Sequence, residues 1–115
     1  MKTYIYLAPP YSHSDPFVRE ARYLWAMKEL GDLLKQGFCV YSPIVHCHEL
    51  AKIDSLPKEA AFWESYNFRM LAKTDVLWVL MLPGWKESLG VTAEITEALR
   101  LLIPVMQVEP KGTLI

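Results

Sequence analysis

Residues 76–82, Val-Leu-Trp-Val-Leu-Met-Leu, offer no polar side chain to turn toward water. A strand that lacks period-two alternation is covered on both faces, which demands a layer on each side of the sheet that holds it. Around this run, short apolar segments alternate with longer helical patterns. Tyr4–Ala8 reads as a first strand stopped by Pro9 and Pro10, and Asp15 can cap a helix with Pro16 at its first position. Phe17, Ala21, Leu24, Met27, Leu30 and Leu34 then recur at helical spacing until Gly37, a good stop. Residues 38–41 read as a second strand, followed by a long loop over 44–56 that is a candidate lid. Pro57 can open a second helix carrying Phe62, Trp63, Tyr66, Met70 and Leu71. After the apolar strand come a loop over 83–90, a helix with Val91, Ile95, Ala98, Leu99 and Leu102 as its core stripe, and a strand over 104–108. The pattern predicts one domain over 1–115 of class α/β. It is a three-layer open parallel sheet of four or five strands with helices on both faces, of the Rossmann or flavodoxin type.

Composition narrows the partners. With 52% hydrophobic residues, 12 Lys+Arg against 13 Asp+Glu, and a net charge of −1, no basic stripe is available for a nucleic-acid polymer. The longest apolar run is far too short to cross a bilayer. The opening residues lack the apolar core of a signal peptide, and Cys39 and Cys47 are too few for a disulfide scaffold, so a cytoplasmic protein is expected. No glycine-rich GxGxxG or GxxxxGK[ST] signature occurs, and no cofactor is expected.

In such sheets ligands bind beyond the carboxyl ends of the strands, which selects the segments 9–15, 42–49 and 83–94 as one edge. The third holds Ser88, Gly90 and Glu94 where a helix begins. Amides at a helix start can receive a phosphate, with the Ser88 hydroxyl as a further donor. A Glu94 in the first turn would be kept ionised by the helix dipole and could attack a sugar carbon, or it could merely complement that dipole. Asn67 shares the apolar side of the second helix and needs a partner, either backbone or ligand. His46, Cys47, His48 and Glu49 invite a metal site, but no CxxC or HxxxH supports one, and a histidine that binds ligand or faces water is the simpler reading. A Cys47–histidine nucleophile is a further alternative. Trp25, Trp63 and Trp78 fit the core, whereas Trp85 in its Pro-Gly loop could stack on a nucleobase.

These residues carry a resemblance. Tyr4–Ala8 with Tyr11 and Ser12, Ser42-Pro43-Ile44 with His46, Asp75 before the apolar strand, and Ser88-Leu89-Gly90-Val91 with Glu94 and Ala98 are similar to the nucleoside 2-deoxyribosyltransferase superfamily. Phe62-Trp63-Glu64, residues 77–80 and Leu82-Pro83-Gly84-Trp85 resemble its small bacterial and phage branch, the DUF1937 family. The resemblance implies that Glu94 attacks C1′ of a deoxyribose, that Tyr6 orients it, and that Ser88 and Gly90 receive the 5′ end of the substrate. It places Asn67 where the superfamily usually has an aspartate that assists base departure, and an amide cannot deliver a carboxyl proton.

The expected activity is cleavage or transfer of the N-glycosidic bond of a deoxynucleoside or its 5′-monophosphate through a covalent Glu94 intermediate. Catalysis would fall to Glu94, Tyr6 and Asn67, and substrate binding to Ser88, Gly90, Ser12, His46 and Trp85. No metal is expected. A nucleotide-binding module of the same fold is the alternative, and metal-dependent hydrolysis through His46 and His48 a more distant one. The resemblance, with Trp85, Leu89 and Tyr11 at the edge, also implies a homo-oligomer.

Overall fold

In the computed structural model, which describes residues 3–53, 56 and 60–111, four parallel strands form one sheet. They are β1 (Tyr4–Ala8), β2 (Cys39–Tyr41), β3 (Val76–Leu80) and β4 (Val105–Val108), in the spatial order β2-β1-β3-β4. Four helices accompany them: α1 (Pro16–Lys35), α2 (Pro43–Cys47), α3 (Ala60–Leu71) and α4 (Leu89–Arg100). Every residue of β3 except half-buried Trp78 is buried, as its unbroken apolar run requires. On one face Tyr6, Ala8, Leu77 and Val79 meet Leu71 of α3 and Val91 and Ala98 of α4. On the other, Leu7 and Leu80 meet Trp25 and Leu30 of α1. Asp75 sets the register of the two inner strands, since its backbone N–H donates to the Tyr4 carbonyl and its carboxylate accepts the Tyr4 N–H, both at 2.8 Å.

The expected α/β architecture with helices on both faces is therefore present, with four strands, but several local expectations are corrected. The stripe expected for α1 is displaced: Phe17, Met27 and Leu34 are exposed, and the buried line runs through Ala26, Glu29 and Leu33. Close approach to the sheet favours a small residue, and Glu29 is held inside by a backbone amide, two things that a count of large apolar side chains misses. The segment 44–56 is not a bare loop. Pro43 opens the one-turn α2 behind Ser42, and a short 3₁₀ turn follows at Leu50–Lys52. Pro57 lies outside the described residues. Finally, α4 begins at Leu89 rather than at Val91, because the Ser88 hydroxyl oxygen accepts the Val91 N–H at 3.1 Å and caps the helix two residues earlier. Leu99 and Leu102 of its expected stripe face water.

Candidate functional site

That earlier helix start changes Glu94. It is the sixth residue of α4, in the second turn and pointing inward, not a first-turn acid, so the helix dipole does not keep it ionised. The Tyr6 hydroxyl, fully buried at the centre of β1, donates to Glu94 Oε2 at 2.5 Å. Burial pushes the Glu94 carboxyl up to about 7; the Tyr6 hydrogen bond opposes the rise and the neighbouring Glu64 charge adds to it. The Tyr6 phenol is itself pushed far above its ordinary range by burial and by Glu94, so it remains a donor at every physiological pH. A carboxyl poised between its two forms, aimed by a permanent donor, suits either a nucleophile or a proton carrier.

Beside this pair stands a second one. Tyr41, the last residue of β2, lies opposite Tyr6 in the parallel register, and their rings are 5.6 Å apart on the same face of the sheet. The Tyr41 hydroxyl donates to Asn67 Oδ1 at 3.1 Å, so Asn67 is bonded to a side chain rather than to backbone. Burial, with Cys47 and Tyr66 close to its hydroxyl, holds the Tyr41 phenol above its ordinary range. Exposed His46 meets the Tyr66 hydroxyl through Nε2 at 3.0 Å, with the two rings nearly parallel. Glu94, Tyr6, Asn67 and His46 are thus brought into one aromatic cluster. Cys47 belongs to it as a thiol, since burial pushes its ionisation up and away from the thiolate that a nucleophile needs.

The remaining candidates divide. Ser88 and Gly90 sit at the start of the helix that carries Glu94. A Cβ on Gly90 would meet only Ser88 Oγ, at 3.8 Å, so this chain's own packing does not call for a glycine there. Ser12 is exposed, and its carbonyl is held by Arg22 rather than by the Glu94 cluster. Trp85 is half-buried and packs against the core cluster that contains Tyr6 and Val91. His48 is corrected. It is a buried structural residue, stacked on Tyr23, with Nδ1 2.6 Å from the Tyr11 hydroxyl and Nε2 3.0 Å from Glu20. His46 and His48 therefore turn to different partners, and among the described residues no three His, Cys, Asp or Glu side chains gather as a metal site would require.

Sequence reasoning missed Tyr41, Tyr66 and Arg22. The guanidinium of Arg22 reaches the carbonyls of Tyr11 and Ser12 in one loop and of Pro83 in another, clasping two of the three segments at the carboxyl edge. Gly84, with φ at 91°, leaves room for it. An arginine inside a helical pattern carries no signal of such a role. Tyr41 was traceable in principle, because a strand-ending tyrosine across from Tyr6 must share its face.

Among solved structures, the chain is similar to a 2-deoxyribosyltransferase from the psychrotolerant bacterium Bacillus psychrosaccharolyticus, described as a biocatalyst for the industrial synthesis of antiviral and antitumoral nucleosides. The TM-score is 0.59 at 20% identity, over 97% of this chain and 76% of that one. At that identity the likeness is one of fold, a Rossmann-like α/β sheet. The model of the domain of unknown function DUF1937 matches residues 3–109, and the chain belongs to that family. No curated protein matches it.

Proposed function

We propose that the protein cleaves, or transfers across, the N-glycosidic bond of a 2′-deoxynucleoside or its 5′-monophosphate, with retention of configuration through a glycosyl ester on Glu94. The single observation that carries this reading is the buried Glu94 carboxyl held at 2.5 Å by Tyr6 at the ligand edge of a deoxyribosyltransferase-like fold. An ionised Glu94 oxygen attacks C1′ as the C1′–N bond breaks. Water, or the nitrogen of an acceptor base, then attacks C1′ from the other side and frees the carboxylate. Tyr6 fixes the attacking group. The start of α4, with the Ser88 hydroxyl and the open approach over Gly90, suits the 5′ end of the substrate and favours hydrolysis of a monophosphate over transfer.

A chromatographic screen for free base from each deoxynucleoside and its monophosphate tests the reading. Release from at least one supports it. Saturable binding with no release from any would leave the alternative, a nucleotide-binding module, which the amide of Asn67 favours. The same reading makes the working unit a homo-oligomer, since Leu89, the first residue of the helix that carries Glu94, stands 86% exposed. Light scattering that gives a monomer mass at micromolar concentration would refute the assembly.

A further inference from the structure

Asn67 leaves a specific gap: a nucleobase that departs as an anion needs a proton, and the amide has none to give. The groups around it do. Tyr41 lies one strand spacing from Tyr6, with its ring 5.6 Å from the ring of the tyrosine that holds Glu94, and its hydrogen bond to Asn67 Oδ1 fixes where its hydroxyl points. Behind it, Tyr66 adjoins the Tyr41 hydroxyl and is itself bonded to His46, which reaches water. Phenol, phenol and imidazole thus run from the interior of the cluster to its surface, and imidazole is the side chain best suited to exchange protons with neutral water.

We propose that Tyr41, positioned by Asn67, delivers the proton to the departing base, and that His46 restores it from solvent through Tyr66; the proposal rests on the glycosidic reading above. As Glu94 forms its bond to C1′, the electron pair of the C1′–N bond leaves with the base nitrogen, which takes the phenolic proton of Tyr41 as that proton turns from Asn67 Oδ1 to the base. Tyr41 takes one from Tyr66, and Tyr66 takes one from the His46 imidazolium. When water then attacks C1′, its proton returns along the same path to His46 and Glu94 departs as a carboxylate, so charge and atoms balance over the cycle. The departing purine or pyrimidine anion is comparable in basicity to an ordinary phenolate; burial raises Tyr41 above that range, so the proton from Tyr66 must arrive as the base leaves, and no free Tyr41 phenolate forms. Asn67 is then a positioning residue and Tyr41 a catalytic one.

The experiment compares base release by the wild type, Tyr41→Phe and His46→Ala on the common 2′-deoxynucleosides and on 7-methyl-2′-deoxyguanosine, whose base leaves neutral without a proton. Tyr41→Phe should lose about 100-fold on the unmodified substrate but stay within about threefold on the methylated one, and His46→Ala should lose about 10-fold on the unmodified substrate alone. A solvent deuterium isotope effect on the wild type should vanish in Tyr41→Phe. That second measurement stands even if the methylated base is a poor substrate. Equal losses on both substrates, or an isotope effect unchanged in Tyr41→Phe, overturn this inference alone, because the hydroxyl would then matter for binding or packing. Absence of base release by the wild type from any of these nucleosides and their monophosphates overturns the glycosidic reading and this proposal with it.

Discussion

Two glutamates are buried on opposite faces of the same sheet, Glu29 of α1 at 2% exposure and Glu94 of α4 at 8%. Glu29 accepts the backbone N–H of Lys111 at 2.7 Å, while neighbouring Lys28 reaches the Lys111 carbonyl and Asp32. It fastens a chain segment to a helix. Glu94 instead meets a phenol, and the nearby charge that acts on it, Glu64, has its own sign. Depth alone would rank Glu29 first. What separates the two is the partner, because a carboxylate satisfied by a backbone amide is fixed in place, whereas one held by a side-chain hydroxyl at the open edge of a sheet remains available to a substrate.

The largest effect expected from this difference is on turnover. Glu94→Gln should lower base release by at least about 1,000-fold, since it removes the attacking anion, while Glu29→Ala should leave activity per folded molecule within a few-fold. Comparable losses in the two variants, measured on samples matched for folded content, would break the contrast. Next comes the pH profile. Only ionised Glu94 attacks, so kcat/KM of the wild type should fall as the pH drops below about 7. Tyr6→Phe removes the bond that pulls the Glu94 carboxyl down, so it should move that limb to higher pH. A limb that stays in place would detach Tyr6 from the carboxyl's ionisation.

Stability should divide the same two residues. The folded state raises the Glu94 carboxyl from 4.5 to about 7, so the protonated form is the favoured one inside. That contribution is complete below the unfolded value and is lost as pH rises through about 7, roughly 3 kcal/mol in all. Denaturation of Glu94→Gln should show no such loss, leaving the variant the more stable of the two above pH 7. Glu29→Ala orphans the Lys111 amide and should destabilise by about 1–3 kcal/mol.

The smallest prediction concerns helix ends, and it also shows where the sequence was legible. Gly37 ends α1 at φ 93°, with its own N–H on the Leu34 carbonyl and that of Phe38 on the Leu33 carbonyl. Leu102 repeats this closure after α4 at φ 62°, with N–H groups of Leu102 and Ile103 on the carbonyls of Leu99 and Ala98. The glycine announced its stop, whereas the leucine read as one more apolar position of a helix. Leu102→Gly should stabilise by about 1 kcal/mol in thermal unfolding, because a left-handed leucine is strained and its side chain is 90% exposed. The strands were legible from local apolar runs and the proline stops, and Tyr6, Asn67 and Glu94 from the family pattern. The site's remaining members were not, because Tyr41 acquires its place only from pairing with β1, and Tyr66 turns to His46 although its spacing suits a core stripe. Glu94 itself was read one turn too near the helix start, since an exposed Leu89 gave no sign that α4 had already begun.

The account turns on a covalent bond between Glu94 and C1′, and the stereochemistry of the product reports on it directly. Proton NMR of the sugar first formed when a deoxynucleoside is cleaved in aqueous methanol distinguishes the two methyl 2-deoxyribosides. Two displacements at C1′ predict the β anomer, with the configuration of the substrate retained. The α anomer as first product would mean a single displacement by solvent, and Glu94 would then be a base that activates it rather than the group that takes the sugar.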